Sequence, residues 1–168
     1  MGGNTSYSSP KVEMRESPIS GRGLFAKGNI KKDELVVSFV GGKGKFVVSA
    51  VADELFEKGD DHVLQIDDDL YFAATTPEEY EKEDHINHSC NPNIGIDGNL
   101  NFVAIRDIEP GEEIVFDYTM SESSEYSFEC RCGSKNCRKT ITGNDWKIPE
   151  LQKKYSGYFS DYLAKKML

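Results

Sequence analysis

Asn87-His88-Ser89-Cys90-Asn91-Pro92-Asn93 is the stretch whose company decides how this chain is read. Alone, it is an amide-rich strand end that holds one cysteine. Downstream, Gly111-Glu112-Glu113-Ile114-Val115-Phe116-Asp117-Tyr118 is a turn leading into a short apolar run closed by a tyrosine. Further on, Cys130-Arg131-Cys132-Gly133-Ser134-Lys135-Asn136-Cys137 sets three cysteines in Cys-x-Cys-x4-Cys spacing. Upstream, Gly21-Arg22-Gly23-Leu24-Phe25 is a glycine turn that opens a strand. The chain has four cysteines, and Cys90 is the one outside the cluster. Two disulfides in a secreted protein would use all four, and so would one zinc site. Cys130 and Cys132 are too close in sequence to bond easily to each other, which favours the metal.

Around these motifs the chain reads as many short strands with frequent Gly, Pro and Asn and few helices. That pattern points to a compact β-rich domain rather than alternating βαβ units. Residues 12–15 and 24–26 read as strands, and 35–40 is an apolar β-branched run expected as a buried strand. Residues 62–66 and 70–73 flank an Asp67-Asp68-Asp69 turn and predict a hairpin, while 99–105 and 113–116 supply further strands. Helical spacing covers 51–58, and Thr76-Pro77-Glu78-Glu79 predicts a helix start with Thr76 as N-cap. The tail from 149 on predicts two short helices broken at Ser156-Gly157, its Tyr155, Tyr158, Phe159 and Tyr162 covering the core.

The 168 residues suit one domain with a real core, and the net charge is −9. Between Asp53 and Asp84 thirteen Asp/Glu face only Lys58 and Lys82, a local −11 that leaves the rest of the chain near +2. The bland reading is a solvated acidic surface. The other is a wall that attracts a Lys/Arg-rich peptide. The same charge speaks against direct binding of a nucleic-acid backbone. No apolar run approaches a membrane span, and no secretory leader is expected. Met1-Gly2 with Ser6 formally fits an N-acylation pattern, although a Gly-Gly start has other origins. A soluble intracellular protein, cytoplasmic or nuclear, is the expectation.

In this order the motifs together resemble the SET-domain protein lysine methyltransferases with their post-SET zinc segment, over roughly residues 10 to 141. The resemblance implies a mainly β fold of several small sheets, a threaded (pseudo-knot) segment at Asn87, short helices and a four-cysteine zinc tail. Residues 1–9, rich in Ser, Gly and Asn, read as a disordered leader and 143–168 as a helical tail; between them the resemblance implies the SET domain at 10–120 with an insert near 50–84 and the post-SET segment at 126–142. The cysteine-rich pre-SET region of many members is absent, as in stand-alone bacterial or archaeal enzymes.

The implied reaction moves a methyl group from S-adenosyl-L-methionine to a lysine ε-amine in a basic protein or peptide, leaving S-adenosyl-L-homocysteine. The substrate class would be histone-like, chromatin or ribosomal. With a reference lysine pKa of about 10.4, only about one amine in a thousand is neutral near pH 7, so a narrow apolar channel must dehydrate it. Tyr118 takes the place of the catalytic tyrosine, whose phenol can orient the amine without a full negative charge beside the sulfonium. Phe116 takes the Phe/Tyr switch place, where the lack of a hydroxyl implies di- or trimethylation. Read alone, Tyr118 closes a strand and Phe116 fills a core.

Arg22, Gly23, Leu24, Asn87, His88, Tyr118 and, beyond the clip, Ile141 match donor-binding positions. Cys90, Cys130, Cys132 and Cys137 match the ligands of one structural Zn. Two departures stand out: Asp84-His85-Ile86 replaces Arg-Phe-Ile, and His62 replaces a channel tyrosine. His62 would then either border the lysine channel or lie on the surface at a strand start. The rival reading from another class is a catalytically silent SET-like zinc module that binds a partner through its acidic insert.

Overall fold

The computed structural model describes residues 5–168. Residues 1–4, with Gly2 of the acylation pattern and the start of the expected leader, lie outside the described residues. Among the described residues, thirteen short strands build four small sheets. Among the described residues, no helix is long and apolar enough to cross a membrane.

The apolar run yields β4 (Leu35–Ser38), which lies inside a sheet ordered β1 (Tyr7–Ser8), β4, β10 (Asn101–Ala104), β9 (Ile94–Asp97). Flanked on both sides, β4 buries Val36 and Val37 completely. Pairing Tyr7 with Ser38 and Ser8 with Val37 makes part of the expected disordered leader a strand. The Ser6 amide and hydroxyl donate to Glu81 at 2.9 and 2.7 Å, which ties that end down.

A second sheet is ordered β2 (Val12–Glu16), β3 (Arg22–Ala26), β11 (Glu113–Phe116), β8 (Asn87–His88). Its last pair is parallel, Val115 beside Asn87 and Phe116 beside His88. Parallel neighbours need a long crossover, and the β9–β10 hairpin supplies it. Asn93 fastens the return, its Nδ2 donating to the Glu113 carbonyl at 2.7 Å and its Oδ1 accepting from the Val115 amide at 2.9 Å.

The third sheet, ordered β5 (Lys45–Val47), β7 (Leu70–Ala73), β6 (Val63–Asp67), contains the expected hairpin, with α1 (Ser49–Glu57) preceding it. Thr76 is the N-cap of the 3₁₀ turn at Pro77–Glu79, which Pro77 opens as expected, but its side chain makes no capping hydrogen bond. Instead the Glu79 carboxylate folds back to accept from the Thr75 amide and hydroxyl at 2.7 and 2.9 Å. The fourth sheet pairs β12 (Ser127–Glu129) with β13 (Thr140–Thr142) on either side of the cysteine cluster. Then come α2 (Pro149–Lys154) and α3 (Asp161–Lys166), the latter capped by Ser160, whose hydroxyl accepts from the Leu163 amide at 3.3 Å.

The tail does cover the core: Tyr155, Phe159, Tyr162 and Leu163 are all buried in it. An aromatic row runs through that core toward the site. Phe39 meets Phe102 at 6.0 Å between centroids, Phe102 meets Phe116 at 5.0 Å, and Phe116 meets Tyr118 at 4.9 Å. Such tilted and edge-on pairs add about 0.5–1.5 kcal/mol each beyond their burial.

Gly143, just past β13, lies against backbone: a Cβ there would fall 1.6 Å from the Ser124 carbonyl oxygen. Gly143→Ala should therefore lower stability by at least about 2 kcal/mol, as overpacking does, read as a lower urea midpoint at unchanged m-value.

Candidate active site

β11 ends at Phe116, Asp117 is extended, and Tyr118 opens a 3₁₀ turn over Tyr118–Met120 that Asp117 caps by accepting from the Thr119 amide. The two rings nevertheless meet, as a regular strand would have placed them. Tyr118, Phe116, Asn87, His88 and Arg22 all line one cavity of about 860 Å³. The Tyr118 hydroxyl donates to the Ile86 carbonyl at 3.0 Å, leaving its lone pairs free. Burial above all, then the Asp61 and Glu122 charges, drive its pKa far above that of a free phenol. It stays neutral at any physiological pH.

The other predicted residues divide. Gly23 and Leu24 are buried in β3, and Ile141 is buried beside Cys90 and Cys130; none lines the cavity. The close approach that Gly23 permits is internal. A Cβ there would lie 2.2 Å from Glu113 Oε1 and 3.1 Å from Asn87 Nδ2. Asn87 Nδ2 meets the Ser20 and Arg22 carbonyls and Glu113 Oε1 at 3.0, 3.2 and 2.8 Å, so it holds the glycine turn in place.

His88 is 4% exposed, and its side chain is engaged internally as well. Its Nδ1 accepts from the Tyr118 amide at 3.1 Å, which leaves the proton on Nε2, 3.5 Å from Cys90 Sγ. Burial pushes its pKa down to about 4 despite the nearby Asp117. A neutral imidazole thus joins the tyrosine turn to the cysteine cluster.

Cys90, Cys130, Cys132 and Cys137 come together with their sulfurs all within 4.8 Å of one another and no disulfide between them. The Cys90 and Cys130 sulfurs are 3.9 Å apart. A tetrahedron with metal–sulfur bonds of about 2.3 Å has sulfurs about 3.8 Å apart. The Arg138 and Lys139 amides point at the sulfurs of Cys90 and Cys137, each at 3.4 Å, as donors to thiolates do. This set fits one tetrahedral ion with every position taken by protein.

Of the acidic insert, only Asp60, Asp61, Glu83 and Asp84 line the cavity. His62 joins them, its Nδ1 3.0 Å from Asp60 Oδ1 and its ring 5.0 Å from that of His85. It borders the cavity rather than the outer surface. Asp84 is pushed up to about 6, chiefly by burial, and His85 is lowered, again chiefly by burial.

Sequence reasoning missed a buried charge cluster. Asp117 is 0% exposed; its carboxylate accepts from Arg138 Nη1 and Nη2 at 2.6 and 2.9 Å and from the Tyr155 hydroxyl at 2.8 Å. Arg138 Nε also donates to Asp145 at 3.1 Å. Burial opposes the Asp117 charge, yet the guanidinium holds its pKa below the ordinary value. Also missed were Glu122, Tyr126 and Phe128, which line the cavity from a polar stretch that reads as an exposed loop. Phe128 lies 6.0 Å from both the Tyr118 and Tyr126 rings.

The SET domain family profile matches residues 21–119. The histone-lysine N-methyltransferase trr of Drosophila melanogaster is 30% identical over 138 residues, 76% of this chain and 6% of its own length. An H3 lysine-4 specific histone-lysine N-methyltransferase of Emericella nidulans is 32% identical over 139 residues, 76% of this chain and 11% of its own. For SETD1B of Homo sapiens the figures are 31% over 141 residues, 78% and 7%. The chain therefore spans about a tenth or less of the length of these relatives. The profile runs from the glycine turn before Gly23 to the tyrosine turn after Phe116, well over half of the sequence, and on that span the chain belongs to the SET-domain family.

Proposed function

We propose that this chain transfers methyl groups from S-adenosyl-L-methionine to lysine ε-amines of a basic, histone-like protein. The observation that carries the reading is the neutral Tyr118 hydroxyl, anchored on the Ile86 carbonyl, in a cavity that Asp60, Asp61, Glu83 and Asp84 also line. The exposed Asp61 and half-buried Asp60 draw in a Lys/Arg-rich segment. The walls of Phe116, Tyr118 and Phe128 strip water from one lysine side chain, which favours its neutral form. While the neutral amine still carries an N–H, as in lysine and monomethyl-lysine, Tyr118 accepts it through its free lone pairs, which turns the nitrogen lone pair along the line of transfer.

The donor supplies an electrophilic sulfonium methyl. Arg22, Asn87 and His88, which line the cavity, are the residues assigned to hold it; Gly23 and Leu24 support Arg22 from within β3, and Ile141, opposite Phe128 in register, backs that wall. Phe116 has no hydroxyl to fix a water beside the amine, which supports di- or trimethylation. The four cysteines are assigned one structural zinc, closed to water.

Tyr118→Phe tests the assignment with labelled donor and core histones. The expected result is methyl-lysine formed by wild type and loss of about 100-fold or more in kcat with donor binding retained. Transfer unaffected by the substitution would remove Tyr118 from the chemistry. A wild type that neither binds donor nor methylates would favour the partner-binding module.

A further inference from the structure

Glu122 has no place in the mechanism above, yet it lines the same cavity as Tyr118 and is only 7% exposed. It follows the Tyr118 turn directly, its amide donating to the Tyr118 carbonyl at 3.0 Å. Its Oε1 accepts from the Gln65 amide at 3.1 Å, and among the described residues its Oε2 has only the Ser124 hydroxyl at 3.4 Å. Both partners are neutral, so the carboxylate sits in an aromatic wall without a cation of its own. Tyr71 on β7, Tyr118 and Tyr126 face it closely enough to feel its charge, and Asp61 reaches Tyr118 from the rim. The Tyr126 hydroxyl, also in that wall, is buried without a hydrogen-bond partner. A buried carboxylate with unfilled lone pairs on the wall of a cavity is built to receive a cation.

We propose that Glu122 receives the ammonium of the target lysine in the cavity and takes its proton, delivering the neutral amine to Tyr118. The inference rests on the methyltransferase reading and deepens it. In the step, one N–H bond of the ammonium breaks, an O–H bond forms on Glu122, and the electron pair stays on nitrogen for the donor methyl. Lysine, monomethyl-lysine and dimethyl-lysine ammonium ions each carry at least one N–H, so the same acceptor serves every round. A trimethylammonium has none and is released. The Glu122 proton returns to solvent when the product leaves.

Burial lifts the Glu122 carboxyl to about 7, opposed by the Gln65 and Ser124 hydrogen bonds. A free lysine lies at about 10.4 and falls as it is dehydrated. The two therefore approach each other, as proton transfer requires. Because Glu122 must be ionised to accept, the rate should rise with pH through the region near 7.

The experiment is methyl transfer to purified core histones by wild type, Glu122→Gln and Glu122→Asp across pH 5.5 to 9, with donor binding and melting measured alongside. Glutamine keeps the acceptor for the Gln65 amide. The expected result for Glu122→Gln is unchanged donor binding, kcat/KM lower by about 100-fold, and loss of the acid limb. Glu122→Asp should restore part of the rate with a shifted limb. A Glu122→Gln enzyme with wild-type rate and limb overturns the proposal while leaving the methyltransferase reading intact. If Glu122→Gln does not fold, an unmoved limb in folded Glu122→Asp overturns it as well. A wild type that transfers no methyl at any pH sinks both.

Discussion

Arg138→Leu is expected to lower the free energy of unfolding by about 3–5 kcal/mol and to abolish most of the methyl transfer. The reason is the partner it leaves behind. Asp117 has no exposure to water, and Arg138 provides two of its contacts, at 2.6 and 2.9 Å. Without the guanidinium, the Tyr155 hydroxyl and the Thr119 amide remain, and neither neutralises a buried carboxylate. Asp117 stands between Phe116 and Tyr118 and caps the tyrosine turn, so any relaxation of its position moves the Tyr118 hydroxyl. A displacement of about 1 Å at a reacting group is worth on the order of 100-fold in rate. Urea unfolding measures the stability change, and the coupling comes from adding Asp117→Asn. The double variant should lose clearly less than the sum of the two single losses, since the stranded charge is gone. A single-variant loss below about 1 kcal/mol would show that Tyr155 and Thr119 suffice.

The cluster explains what the sequence made legible and what it hid. Motifs whose residue types have few uses were readable: three cysteines at fixed spacing plus Cys90, a tyrosine closing Ile114-Val115-Phe116, a glycine turn before a strand. Strands announced themselves where both faces are buried, as at Val36 and Val37, or where a turn divides them, as at Asp67-Asp68-Asp69. Residues whose meaning depends on a distant partner were not readable. Arg138 directly follows the last cysteine, and nothing local points to its partner Asp117, 21 residues away. Glu122 lies in Ser121-Glu122-Ser123-Ser124-Glu125, which has the composition of a solvated loop, and only the packing of β6, β7 and Phe128 turns it inward. Tyr7–Ser8 read as part of a polar leader because nothing local predicts a strand of two residues completed by β4. Nor did the sequence show what packs against the expected donor-binding residues Gly23 and Asn87, both of which lie against Glu113.

Removal of the proposed zinc is the second large expected effect. A strong chelator, or Cys90→Ser, should release one zinc per chain, cut methyl transfer on the order of 100-fold and leave most of the far-UV signal of the sheets. Cys90 lies at 1% exposure between the two halves of the site. Its sulfur meets His88 Nε2 at 3.5 Å, and His88 Nδ1 holds the Tyr118 amide at 3.1 Å. Its carbonyl accepts from Asn136 Nδ2 in the clip at 2.9 Å and from Lys154 Nζ in the tail at 3.2 Å. Four thiols crowded within 4.8 Å cannot all ionise without a cation, so the apo cluster protonates and spreads. Phe128 and Tyr126, carried on the same segment, then leave the cavity wall and admit water to the amine. The core of Phe39, Phe102, Ile94 and Ile114 makes no use of the metal, and the bulk fold should persist. Metal content, circular dichroism and activity, followed together during chelation and zinc add-back, separate the outcomes. Activity that survives complete loss of metal would mean that Arg138 and Tyr155 alone hold the segment in place. Loss of the whole far-UV signal would mean that the zinc supports the fold itself, beyond the wall of the site.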